Sequence, residues 1–289
     1  MIFNKIVSNM SMFLRDLYKR TKSDDLAGLA SQLAYFFLLS LFPALVFLIT
    51  IIGYLPLEEK DVLGLLAQYA PPDAMKLINE NINKVLNKAN GGLLSFGLLA
   101  ALWSASNGIN AIMKAFNRAY DIKETRSFFM TRALSIVLTL AMVFIIVFAL
   151  LLPVFGKVIG KTIFDILGLS ESFLMVWSLV RLVLSFLVLF ITFSFLYKFA
   201  PNLHVRRNEV MSGALFASVG WVSVSYLFAL YVDLFGNYAN TYGGLGGIII
   251  LMLWFYLTAW VILIGGEINA LLHCYRTNGK DSRNNLVTK

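Results

Sequence analysis

Residues 243–272, GGLGGIIILMLWFYLTAWVILIGGEINALL, decide the fold of this chain. The run is apolar, glycine-rich at both ends, and carries one charged residue, Glu267. About 20 apolar residues cross the roughly 30 Å hydrocarbon layer as a helix. A carboxylate placed inside such a span costs about 2.5 kcal/mol or more unless it is partnered or reaches water. The run therefore says membrane, and Glu267 is the residue whose presence needs a reason.

The rest of the chain agrees. Of its residues 59% are hydrophobic and 14% charged, where soluble proteins carry about 25% charged, and the mean hydropathy is +0.76. Apolar runs place spans near 29–53, 93–113, 133–155, 173–199, 211–234 and 245–272. The second is interrupted by Ser95, Ser104, Ser106, Asn107 and Asn110, so it is expected to face other helices and not lipid. Pro43 is expected to kink the first span. No signal-peptide pattern opens the sequence, and the first span is expected to direct insertion. The expected class is all-α, a polytopic membrane protein with six transmembrane helices over 26–273. An amphipathic helix over 1–25 precedes them, an extracytoplasmic helical loop over 56–91 interrupts them, and a polar tail over 274–289 follows. The first three spans laid against the last three give no convincing repeat.

Lysines and arginines on alternate sides of the spans number 17 against 6, with Arg181 inside the fourth. This bias puts both termini and the basic loops in the cytoplasm. It also explains the net charge of +8 without nucleic acid, which calls for basic residues on one folded face interleaved with base-stacking aromatics. Before the first span, Ile2, Phe3, Ile6, Val7, Met10, Phe13, Leu14 and Leu17 recur at helical spacing among Lys5, Arg15, Lys19, Arg20 and Lys22. Such a helix suits an interface, its cations attracting anionic lipid headgroups, or alternatively a protein partner. The loop on either side of Pro71-Pro72 has the spacing of two short amphipathic helices.

Several chemistries are set aside. Cys274 is the only cysteine, so there is no intramolecular disulfide and no cysteine-rich zinc site. His204 and His273 are the only histidines, too few and too far apart in sequence to announce a metal centre. No phosphate-binding glycine loop is present, and no cofactor is expected. Gly213, Ala217 and Gly220 in the fifth span, and the glycines that open the sixth, predict close packing of those two helices.

The polar residues inside spans are the candidate site. At about 1.5 Å per residue, Arg181 lies roughly 7 Å outward from the centre of its span, the deepest charge in the chain. Asp233, near the outer end of the fifth span, is the preferred ion-pair partner; the alternative is that Arg181 extends to the outer headgroups. Glu267 falls roughly 13 Å to the cytoplasmic side of its midpoint, near the expected depth of Gln32 and not far from Asn107 and Asn110. These four are expected to form an inner polar cluster. It is either a hydrogen-bonded staple between helices or a protonatable or cation-binding group at the mouth of a path.

The stretches ASQLAYFFLLSLFPALVFLI, LLAALWSASNGINAIMKAFNRAYD, YKFAPN and TYGGLGGIIILMLWFYLTAWVILIGGEINALL, in that order, resemble the YihY/BrkB family of bacterial inner-membrane proteins. The resemblance runs from about Asp24 to Leu272. It implies six transmembrane helices and a bacterial cytoplasmic membrane. Members have been labelled ribonuclease BN, but the chain offers no clustered His, Asp and Glu motif for a metal nuclease, and no acid–base pair beside a basic groove. The expected function is transport of a small solute, ion or lipid-like envelope component through an internal polar cavity. A non-transporting role in envelope assembly is the alternative.

Overall fold

The computed structural model describes residues 2–52, 91–145, 171–235 and 244–287. Among them there are seven helices and no strand: α1 (Ile2–Ser23), α2 (Leu26–Ile52), α3 (Gly91–Ala119), α4 (Phe128–Ile145), α5 (Glu171–Phe199), α6 (Arg207–Phe235) and α7 (Gly244–Val287). All except α1 contain a stretch long and apolar enough to cross a membrane. The six expected spans are therefore present, and the chain is a multi-pass membrane protein. The helical loop expected over 56–91 lies, but for its last residue, outside the described residues, as does the end of the third span.

The helices overrun the apolar runs at their polar ends. α3 continues to Ala119, α6 begins at Arg207, and α7 continues beyond the apolar residues to Val287. α2 runs on through Pro43 to Ile52. Two acidic residues in the left-handed region make the sharp reversals, Asp25 (φ 52°) between α1 and α2 and Asp121 (φ 53°) after α3. Short polar side chains tolerate that region better than others do. Asp25 also caps α2, its Oδ1 accepting the Gly28 N–H at 3.3 Å. After Asp121, the Ile122 N–H bonds back to the Asn117 carbonyl at 2.9 Å, the six-to-one closure that ends a helix in a left-handed residue.

The chain divides into two compact units. In the smaller, Phe36–Ala105, the buried Gly97 lets α3 approach the α2 backbone: a Cβ at Gly97 would stand 3.0 Å from the Phe47 nitrogen. Thr50 and Ser40 return their hydroxyls to the carbonyls of Val46 and Phe37, so neither needs water.

The larger unit, Met1–Tyr35 with Ser106–Lys289, carries the candidate site. α6 packs between α5 and α7, and α1 lies along α7. Its fully buried side chains, Leu26, Leu33, Ile112, Met113, Phe116, Leu196 and Tyr197 among them, concentrate towards one end. That end carries the junctions α1–α2, α3–α4 and α5–α6 and is called the basic end below. Elsewhere Leu182 is 69% exposed and Leu227 63%, as befits side chains that meet lipid, which is as apolar as they are. Ser106 is buried and Asn107 and Asn110 half-buried, as the polar reading of the second span requires, whereas Ser95 is exposed.

The expected close approach of α6 and α7 is found at Gly213 and Gly265, where each glycine lies against the other's carbonyl oxygen. A Cβ at Gly213 would run into the Gly265 carbonyl and the Asn269 amide, whereas one at Gly247 would meet nothing within 4 Å. Gly213→Ala is expected to cost about 1–3 kcal/mol through forced backbone displacement. Gly247→Ala is expected to leave stability unchanged or raise it slightly. Thermal unfolding of the two variants in the same detergent checks this, and equal melting temperatures would remove the close approach as a determinant of stability.

Candidate functional site

Glu267 is placed by its neighbours on α7. Gly265 and Gly266 leave room for the Tyr197 hydroxyl and the Phe116 ring, and Tyr197 donates to the Ile262 carbonyl at 2.8 Å. Two residues further on, the fully buried Asn269 uses both ends of its amide on α6, accepting from the Gly213 N–H at 2.7 Å and donating to the Val210 carbonyl at 3.3 Å. With these contacts fixing the rotation of α7, Glu267 points inward and is 2% exposed.

Glu267 faces the carboxyl group of Asp24, in the turn between α1 and α2. Arg20 and Asp121 are the other charges that act on Glu267, while its Oε2 is buried with no hydrogen-bond partner among the described residues. Asp24 is itself held by Arg118, with Nε 3.4 Å from Oδ1. Two arginines then cross between the helix ends. Arg118 Nη2 donates to the Ser23 carbonyl at 2.9 Å, and Arg20 Nη1 donates to the Ala119 carbonyl at 2.9 Å. Each satisfies a terminal carbonyl that its own helix leaves without a partner.

Tyr120 lies on the other side of the cluster. Its ring meets that of His273 edge-on with centroids 5.7 Å apart, and its buried hydroxyl has no partner among the described residues. Burial first, then the Glu209 and Glu267 carboxylates, raise its phenol above the usual tyrosine value of about 10. Glu209 accepts from the Arg206 N–H at 3.3 Å, lies 3.2 Å from His273 Nδ1 and 3.8 Å from Arg276. Further along, Tyr275 donates to Asp16 at 2.7 Å and tethers α1 to α7.

A second hub fastens the α3–α4 loop to the α5–α6 loop. Asn117, buried, donates to Glu124 Oε2 at 2.8 Å and accepts from the Asn202 N–H at 2.7 Å. Asn202 donates to Thr125 Oγ1 at 2.8 Å and to the Lys123 carbonyl at 3.2 Å. Arg126 covers the Pro201 and Ala200 carbonyls at 2.8 and 3.4 Å. The stretches AFNRAYD and YKFAPN, which carry much of the family resemblance, are thus the two halves of one joint.

The six residues singled out from sequence are dispersed. Glu267 is at the centre of the site, but Gln32 is exposed. Asn107 accepts from Arg132 Nη1 at 2.7 Å and joins α3 to α4. Asn110 is half-buried, with an Oδ1 that has no partner among the described residues. Arg181 is half-buried in α5 and Asp233 exposed in α6, and no ion pair joins them among the described residues. Asp24 and Tyr120, which the structure brings to Glu267, were not singled out, nor were Glu209 and His273, which lie beyond Tyr120. Their only signal was position: Asp24 opens the resembling region, and Tyr120 lies within AFNRAYD. His204 and His273, far apart in sequence, line one cleft. Among the described residues no three of His, Cys, Asp and Glu come together as metal donors.

A family profile described as virulence factor BrkB matches residues 17–287 and so takes in every residue of this cluster except Asp16. The chain belongs to the BrkB family. It is 55% identical over 261 residues to a ribonuclease-like protein, YfkH, of Bacillus subtilis, covering 90% of this chain and 95% of that protein. Membrane proteins of the UPF0761 group share the family at lower identity. The one from Vibrio parahaemolyticus is 30% identical over 90% of this chain and 82% of its own, and that from Tolumonas auensis 27% over 90% and 85%. No solved structure matches the chain. The name of the Bacillus relative describes that protein, and it is only a label.

Two measurements test the site. Asn117→Ala strands the Asn202 N–H and is expected to cost about 1–3 kcal/mol, read as a lower melting temperature; an unchanged melt would deny the joint its role. Tyr120 holds its proton more tightly folded than unfolded, so its contribution is complete below about pH 10 and lost as pH rises beyond it. The melting temperature is therefore expected to fall more steeply above about pH 10 in the wild type than in Tyr120→Phe. Parallel curves would contradict that environment for the phenol.

Proposed function

We propose that this chain is a transport-type membrane protein that moves a small solute, an ion or a lipid-like envelope component, with Glu267 at the working end of its path. The observation that carries the reading is the buried carboxyl group of Glu267, which faces the half-buried Asp24 and keeps one oxygen without a hydrogen-bond partner among the described residues. Ionisable groups kept within a span are expensive and mark ion, proton or substrate pathways more often than they mark packing. In this reading Tyr120, whose buried hydroxyl lacks a partner among the described residues, is the neighbour able to take a further hydrogen bond, and Asn110 on α3 has a buried oxygen in the same condition. Arg181 and Asn107, half-buried in α5 and α3, are read as polar groups of the same path at other depths, whereas the exposed Gln32 and Asp233 are not. The reading has no catalytic step.

The membrane is the bacterial cytoplasmic membrane and the basic end faces the cytoplasm, a reading supported by the 17-to-6 bias of lysine and arginine. α1 then lies at the inner leaflet. Its exposed Met12, Leu14 and Tyr18 suit the acyl boundary, and its exposed Arg15, Lys19 and Lys22 suit anionic headgroups. A second reading, a non-transporting protein of envelope assembly, draws on the joint around Asn117, whose bonds account for its polar atoms without any passage of solute.

Proteoliposomes decide between them. Entrapped pyranine reports proton movement, and dithionite quenching of a labelled phosphatidylglycerol reports lipid movement. At least one is expected to run faster than in protein-free vesicles, and Glu267→Gln to slow it about tenfold or more with folded yield unchanged. No protein-dependent movement of either, or a Glu267→Gln variant that loses folded yield and activity together, would favour the second reading.

A further inference from the structure

At the basic end, apart from the Asp24–Glu267 pair, a cleft of about 540 Å³ opens between the start of α6 and the polar part of α7. It is lined by His204, Arg206, Arg207, Glu209, His273 and Arg276, together with two uncharged polar residues. We infer that this cleft is a binding site for a phosphate-bearing anion, either the headgroup of an anionic phospholipid or a free phosphate compound.

The charge balance comes first. Three guanidinium groups line the cleft against one carboxylate, and that carboxylate is already engaged. Glu209 Oε2 faces His273 Nδ1 at 3.2 Å and the Arg206 N–H at 3.3 Å, while Oε1 faces Arg276 at 3.8 Å. Glu209 thus orients the cationic wall instead of neutralising it. Arg206 and Arg207 are exposed and form no ion pair among the described residues.

Geometry and chemistry agree on the ligand. Arginine presents a planar fork of donors that matches phosphate oxygens two at a time. α6 begins at Arg207, so the first N–H groups of a 29-residue helix and its positive end open at the same place. The volume suits a phosphate with a small organic substituent. No Phe, Tyr or Trp lines the cleft, so the stacking surface that holds single-stranded nucleic acid is missing from it. The basic residues here also differ from Arg20, Arg118 and Arg126, each of which donates to a backbone carbonyl of a neighbouring element. The inference stands whether or not the protein transports anything.

The test uses the full chain purified in a neutral detergent, with calorimetric titration of four probes: inorganic phosphate, short-chain phosphatidylglycerol, short-chain phosphatidylcholine and a single-stranded RNA oligonucleotide. Saturable binding is expected for phosphate, for phosphatidylglycerol, or for both, and not for phosphatidylcholine. Phosphate alone identifies a free phosphate compound, and phosphatidylglycerol alone identifies a lipid headgroup. The double variant Arg206→Gln/Arg207→Gln, which keeps the backbone N–H used by Glu209, is expected to weaken binding about tenfold or more at an unchanged melting temperature. Arg276→Gln, at a side chain 57% exposed, is the second variant should the double one fold poorly. Lys114→Gln, an exposed lysine on α3, controls for general charge. Absence of saturable binding by both phosphate and phosphatidylglycerol, a loss on Lys114→Gln as large as that of the arginine variants, or RNA binding tighter than either phosphate probe overturns the proposal.

Discussion

The close approach of α6 to α7 across Gly213 and Gly265 is the contact on which the larger unit depends. In lipid, helices gain little from hiding apolar side chains, because the alternative environment is equally apolar; association rests on surface fit and on hydrogen bonds that the bilayer cannot replace. Two glycines supply the fit by bringing backbone against backbone. The hydrogen bonds then fall within reach, since Asn269 touches the α6 main chain only because Gly213 has no side chain in the way. Tyr197 likewise reaches the Ile262 carbonyl across Gly265. Once these bonds fix how α7 is turned, the direction of Glu267 follows.

The same economy governs the helix ends. A helix leaves its last carbonyls unpaired, and at the membrane boundary water is an uncertain partner for them. Here the missing donors come from arginines on neighbouring elements: Arg118 for Ser23, Arg20 for Ala119, and Arg126 for Ala200 and Pro201. Arginine suits this work because its donors diverge in a fixed plane and it never loses its charge. Two groups of arginines at this end are therefore distinct. One closes helix termini, and the other, Arg206, Arg207 and Arg276, lines an open cleft.

Much of the fold was legible because span length and apolarity are local properties. The six spans, the N-terminal helix and the glycine contact between the last two spans could all be read from runs and spacings. Helix ends ran past the apolar limits because α3 and α7 continue into polar sequence, where hydropathy carries no signal. For the candidate site, the rotation of each residue about its helix was not legible. Gln32 and Glu267 were put at one level, yet Leu26, Ala30, Leu33 and Ala34 are the buried stripe of α2, and Gln32 falls off that face. Partnerships were illegible for another reason. Asn117 and Asn202 lie 85 residues apart and Tyr197 and Ile262 lie 65 apart, and nothing within either segment announces the other.

Depth alone made Arg181 the larger anomaly, since charge grows more costly towards the bilayer centre. Hydrogen-bond satisfaction separates the buried polar groups of the basic end on other grounds. Asn117 and Asn269 have both ends of their amides engaged, which is what a staple requires and leaves nothing over for a ligand. Glu267 is buried to the same degree but keeps an oxygen without a donor, and the hydroxyl of Tyr120 is in the same condition. A group that served only to hold helices together would gain stability by completing its bonds or by becoming apolar. Within the basic end, unspent hydrogen-bonding capacity therefore singles out groups that charge and depth do not, and it leads back to the single acid in the last span.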